Sequence, residues 1–161
     1  MNKMYMRSAR SYQTNYNSIE QHQLDTAGVT QVNGNKLEEW QSDIRGPFQV
    51  LEFKNDNCAI VRVNIQRATL AEAIDFKKYL EVILNEGINN LIIDINSCTF
   101  IDSTFFGVIV GALKKTKANN GNLYLVYNPE KQLPLFKNTG LAKIFTIYKD
   151  LEEAYTILKL K

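Results

Sequence analysis

The sequence predicts an α/β fold: a small mixed β-sheet of about five strands, opening on an N-terminal hairpin and continuing in parallel strands, flanked by about four helices. Three observations point there. Two apolar runs surround a polar tetrapeptide, as in a hairpin. A later run of β-branched residues has no helical period. Segments with apolar residues at three- and four-residue spacing alternate with further short strands.

The elements follow in order. Phe48 to Phe53 and Cys58 to Ile65 read as strands about the turn Lys54-Asn55-Asp56-Asn57. Ala73, Phe76, Leu80, Ile83 and Leu84 then recur at helical spacing with charged residues between them, and Gly87 closes the segment. Leu91 to Ile95 has the composition of a strand buried on both faces, so its single charge, Asp94, needs a lysine or backbone N–H groups as partner. Asp102 or Ser103 caps a helix through Phe106, Val110 and Leu113 to Lys117, ended by Asn119-Asn120-Gly121. Asn122 to Tyr127 is a strand and Pro129 to about Asn138 a short helix ended by Gly140. Ile144 to Tyr148 is a last strand, and Leu151 to Leu158 a closing helix.

The chain has 161 residues and 45% hydrophobic composition, enough for one domain with a real core plus an appendage. The domain is expected over 47–161. Residues 1–46 are rich in Asn, Gln, Ser and Thr, with Ile19, Leu24, Val29, Leu37 and Trp40 as scattered anchors. Such a segment buries too little apolar surface to offset ordering entropy, and a flexible N-terminal extension is expected. The rival reading is a short helix from Lys36 to Asp43 docking through Trp40.

Charge and cysteine usage exclude several classes. A net charge of +2, from 19 basic and 17 acidic residues, argues against a nucleic-acid partner. Cys58 and Cys98 lack the spacing of a zinc site or redox dithiol and read as buried thiols in a reducing compartment. No stretch approaches the roughly 20 apolar residues of a spanning helix, so a cytoplasmic chain without membrane insertion is expected. The only histidine is His22, in the polar extension. The domain therefore holds no Ser-His-Asp or Cys-His nucleophile system and no histidine-based metal site. Neither a phosphate-binding G-x-x-x-x-G-K-[ST] loop nor a dinucleotide fingerprint is present, and no cofactor is expected.

What remains is the junction Phe100-Ile101-Asp102-Ser103-Thr104-Phe105-Phe106-Gly107, where a strand feeds through a polar triplet into an apolar helix. In an alternating sheet such a loop lies at the carboxyl end of a strand, and the helix start offers unpaired N–H groups and a positive dipole end. Read alone, Asp102-Ser103-Thr104 is an ordinary N-cap sequence. Phe105 and Phe106 point to different sides of the helix, so at least one is expected at the surface as an interface anchor.

The longer run from Leu91 to Lys115, LIIDINSCTFIDSTFFGVIVGALKK, resembles the signature of STAS domains, the family of the bacterial anti-sigma factor antagonists. Gly121 with Leu123 to Val126, Thr139-Gly140-Leu141 with Ile144-Phe145, and Asp150-Leu151-Glu152-Glu153-Ala154 extend the resemblance, which spans about Phe48 to Leu158. It implies a non-enzymatic regulator that works by partner switching. The unmodified protein captures an anti-sigma factor that is also a serine/threonine kinase, the kinase phosphorylates the Asp-Ser-Thr site, and a metal-dependent protein phosphatase resets it. Carried over residue by residue, the acceptor is Thr104, Ser103 is the alternate acceptor or cap, and Asp102 orients the hydroxyl. Asp102, Ser103, Thr104, Phe105 and Phe106 would meet the partner.

Two departures stand out. Phe105-Phe106-Gly107 replaces the family's Gly-Leu-Gly, making the rim bulkier, and Gln66 and Thr69 stand where Gly-x-x-Asp is usual, Thr69 being a better helix cap than a second carboxylate. A constitutive subunit of a larger assembly, such as a lipid-transport ATPase complex or a stress-signalling scaffold, is the structural alternative. A small nucleotide-binding enzyme using the same helix start is the third reading.

Overall fold

The computed structural model describes residues 37, 40–53, 56–137 and 139–159, and residues 46–161 form one compact unit. The expected flexible extension falls for the most part outside the described residues. Leu37 and residues 40–42 are helical.

Five strands make the main sheet, in the order Phe48–Phe53, Cys58–Val63, Asn90–Asp94, Leu123–Val126, Thr146–Tyr148. β1 (Phe48–Phe53) and β2 (Cys58–Val63) form the antiparallel hairpin, with Phe48 opposite Val63 and Phe53 opposite Cys58. β4 (Asn90–Asp94), β6 (Leu123–Val126) and β7 (Thr146–Tyr148) follow in parallel. β4 sits at the centre with Leu91, Ile92 and Ile93 fully buried, as expected of a strand covered on both faces.

Helices cover both faces. α1 (Leu70–Asn85) and α2 (Ser103–Ala118) cross between parallel strands, while the four-residue α3 (Pro134–Lys137) and α4 (Leu151–Lys159) follow later. Successive strand residues alternate faces, so Phe48 and Phe53 point to opposite sides of β1. The Phe48 ring lies 4.9 Å from Phe76 of α1, and the Phe53 ring lies 4.3 Å from Tyr155 of α4. Tyr155 also donates its hydroxyl to Asp56 at 3.0 Å, tying α4 to the hairpin turn.

Three details depart from the expected elements. Pro129 to Asn138 is broken: a 3-10 turn over Pro129–Lys131 ends at Gln132 in a left-handed conformation, and Pro134 starts α3, where its missing N–H costs nothing. Leu141–Ile144 is a 3-10 turn, which shortens the last strand. The third is an unforeseen pair of two-residue parallel strands, β3 (Arg67–Ala68) and β5 (Phe100–Ile101).

Asp94 finds its partner across the sheet. Arg62 stands opposite it in the β2–β4 register, with Nε 3.6 Å from a carboxylate oxygen, and Asp94 also accepts the Asn96 N–H at 2.9 Å. The partners are thus an arginine and a backbone N–H, with the Lys131 ammonium adding a further attraction. Burial pushes the Asp94 carboxyl up and Arg62 down, outweighing their attraction in both cases.

At the far end of α2, Asn120 turns left-handed and Gly121 passes against the strand lead-in at Asn89. A Cβ on Gly121 would stand 1.8 Å from the Asn89 carbonyl oxygen, which is main chain and cannot swing aside. Gly121→Ala is therefore expected to destabilise the domain by roughly 2 kcal/mol or more. Urea unfolding checks this, and a midpoint equal to wild type would refute the close approach.

Candidate functional site

The site is built where the two crossover helices begin. β3 precedes α1 and β5 precedes α2, and their pairing aligns Arg67 with Phe100 and Ala68 with Ile101. Gln66 O accepts the N–H groups of Thr99 at 2.8 Å and Phe100 at 3.1 Å, and Ala68 O accepts that of Asp102 at 2.9 Å. The Arg67 guanidinium lies 4.4 Å from the centroid of the Phe100 ring. These bonds hold the starts of α1 and α2 side by side.

Each start has its own cap. Thr69 caps α1 in a capping box: Glu72 reaches back to accept the Thr69 N–H and hydroxyl, both at 2.9 Å. Thr69 is therefore the helix cap that its sequence position suggested. Asp102, in extended conformation, caps α2 by accepting the Phe105 N–H at 2.8 Å. Its other carboxylate oxygen accepts the Leu70 N–H at 2.8 Å, and Leu70 is the first residue of α1. One carboxylate thus closes two helices.

Hydrogen bonds from Phe105 N–H first, then from Leu70 and Thr104 N–H, hold the Asp102 carboxyl below the usual aspartate range. The helix start was expected to be an open anion site; Asp102 fills it. Each of its oxygens accepts one of these main-chain N–H groups.

Ser103 and Thr104, the first two residues of α2, are exposed. Among the described residues neither hydroxyl is engaged in a hydrogen bond. Both are thus within reach of another protein.

The two phenylalanines behave differently from expectation, since both lie in the core. Phe105 is wholly buried and stacks on Phe76 at 4.7 Å with ring planes 9° apart. Phe106 is 2% exposed and meets Phe136 and Phe145 edge-on, each at 5.4 Å. They do diverge, but apolar matter waits on both sides, α1 on one and the 134–145 segment on the other. Neither is a surface anchor. They form instead the floor that fixes the first turn of α2 beneath Ser103 and Thr104.

The exposed apolar residues near the site lie on α1. Leu70 and Ile74 are each 59% exposed. A signal for them existed in the sequence, because both fall out of phase with the stripe of Ala73, Phe76, Leu80 and Ile83 that faces the core. On α2, Gly107 is exposed with open space where a side chain would stand.

Among the described residues no group of His, Cys, Asp and Glu is arranged to hold a metal, and no helix is long and apolar enough to cross a membrane. Cys58 and Cys98 are free, buried thiols, each pushed up to about 12 mainly by burial.

Asp102→Asn isolates the shared cap. Asparagine still offers one oxygen to Phe105 N–H but turns a second donor group toward Leu70 N–H. The variant is expected to melt below wild type at neutral pH. Because the folded-state pKa of Asp102 is depressed, its contribution is present above about pH 4 and lost as pH falls through the lower folded value. The gap in melting temperature should close on acidification, and a gap independent of pH would contradict the assignment.

The STAS domain family matches residues 53–154. An anti-sigma-B factor antagonist of Staphylococcus epidermidis is 28% identical over 78 residues, 48% of this chain and 72% of the relative. A Thermotoga maritima crystal structure of a candidate anti-sigma factor antagonist superposes with a TM-score of 0.57 at 28% identity, covering 70% of this chain and 93% of that one. The phosphorylated form of the Bacillus cell fate determinant SpoIIAA superposes with a TM-score of 0.52 at 18% identity, over 69% of this chain and 98% of that one, a likeness of fold alone. The match over residues 53–154 includes the central strand, both crossover helices and the loop bearing Asp102, and the chain belongs to the STAS domain family.

Proposed function

We propose that this chain is an anti-sigma factor antagonist that switches partners by phosphorylation of Thr104, with Ser103 as the alternate acceptor. The unmodified chain captures an anti-sigma factor that is also a serine/threonine kinase; that kinase phosphorylates it and lets go, and a metal-dependent phosphatase restores the free hydroxyl. The protein is a substrate and binder in this cycle, not a catalyst, and the reading implies a cytoplasmic chain.

The observation that carries the reading is a pair of exposed, unengaged hydroxyls one and two residues beyond a carboxylate whose oxygens are already committed. A phosphate on Thr104 adds a charge of about −1.5 to −2. It meets a helix end where Asp102 already holds the Phe105 and Thr104 N–H groups. It therefore stands at the surface beside a second negative charge, where a docked partner meets repulsion and desolvation. A loss of about 2.8 kcal/mol lowers affinity roughly a hundredfold. The floor of Phe105 and Phe106 need not move, so the switch acts through charge rather than refolding.

Incubation with the cognate kinase and ATP, followed by mapping of the product, should place the label on Thr104 or Ser103. Thr104→Glu should weaken capture of the kinase about a hundredfold while leaving the far-ultraviolet circular dichroism unchanged. Label elsewhere would remove the mechanism. Undiminished capture by Thr104→Glu would favour the constitutive-subunit reading.

A further inference from the structure

We propose that Leu70 and Ile74 form the apolar docking ridge by which the phosphorylating kinase recognises this chain. The ridge rests on the phosphoacceptor reading above and names the second half of the same surface.

The argument begins with cost. Leu70 and Ile74 are each 59% exposed, and both lie outside the stripe through which α1 packs, so the fold gains little from their being apolar. They are four residues apart and so stand one above the other, about 6 Å along the helix. Exposed Ala71 lies beside them on the same turn, making a continuous apolar strip at the start of α1.

Its position says what covers it. Leu70 N–H is bonded to Asp102 at 2.8 Å, and Asp102 is two residues before Thr104. A protein that brings ATP to the Thr104 hydroxyl must lie over the first turn of α2, and that turn is fastened to the first residue of α1. The ridge and the acceptor therefore fall within one footprint. Gly107, one turn beyond Ser103, leaves open space where a side chain would stand on the α2 side. The polar neighbours complete the division of labour. Glu72 is occupied in the Thr69 capping box and Asp102 in the two caps, which leaves Leu70 and Ile74 to supply contact area and the hydroxyls to supply the chemistry. The matching kinase surface is an apolar pocket beside its ATP site.

The test uses the full chain and purified serine/threonine kinases of the anti-sigma type from the source genome, assayed one by one with ATP. Leu70→Gln with Ile74→Gln should raise KM for the chain about tenfold or more, with kcat near wild type and label still on Thr104. Val82→Gln serves as control: it removes exposed apolar surface from the same helix two turns further on, and its KM should equal wild type. Leu70→Met with Ile74→Leu should return KM toward the wild-type value. The single Gln variants replace the double one if its melting curve shows unfolding.

A kinase that labels wild type and the Gln variants with equal KM overturns the ridge and leaves the phosphoacceptor reading intact. So does a wild-type dimer in sedimentation that the Gln variants dissolve without change in KM, since the ridge is then a contact between copies. If no kinase labels Thr104 or Ser103 of the wild type, the phosphoacceptor reading fails and the ridge falls with it.

Discussion

The carboxylate of Asp102 is shared between two helices, and the geometry of the site follows from that sharing. One oxygen accepts from the third residue of its own helix and the other from the first residue of α1, each at 2.8 Å. A helix end leaves N–H groups without partners, and here two such ends meet at one anion. The short β3–β5 pair brings the ends together, and the stacked rings of Phe76 and Phe105 keep them there. Shifting either helix would free a donor and unstack a ring.

This arrangement explains how an exposed hydroxyl can sit on a rigid support. Ser103 and Thr104 ride on a turn whose backbone is capped from below by Asp102 and whose next two side chains are locked in the core. Charge added at the surface has no soft element to displace. In the proposed switch its effect would be delivered outward, to the docked partner, with the negative field of Asp102 adding to it. A device of this kind needs no second conformation of its own.

The central strand shows the same economy at another place. Leu91, Ile92 and Ile93 are sealed on both faces, and the one charge in the strand lies at its carboxyl end, opposite Arg62 and close to a backbone donor. Burial costs both ions more than their attraction returns. What the pair does fix is register, because Arg62 is the one cation of β2 and any other pairing would move it away from Asp94.

The chain's local chemistry determined its elements: the hairpin of 48–53 with 58–65, two residues longer than the strand that forms, the two-sided apolar run at 91–95, a cap at Asp102 or Ser103, and the stop at Asn119-Asn120-Gly121 can all be read from residue order. Each depends on bonds or contacts within a few residues, and so does the likeness to STAS domains. The short Gln66 to Thr69 segment was opaque, because a two-residue strand has no period and Gln66 acquires its role only when residue 100 arrives beside it. The fates of Phe105 and Phe106 were equally closed to inspection. A helix position states a direction, and whether that direction ends in water or against Phe76 and Phe136 depends on elements 30 residues away. The second bond of Asp102 is of the same kind, since Leu70 lies 32 positions earlier in the chain. Sequence order sets what each segment can offer its neighbours; only the folded arrangement selects the neighbours, because hydrogen bonds and dispersion act over a few ångströms of space regardless of distance along the chain.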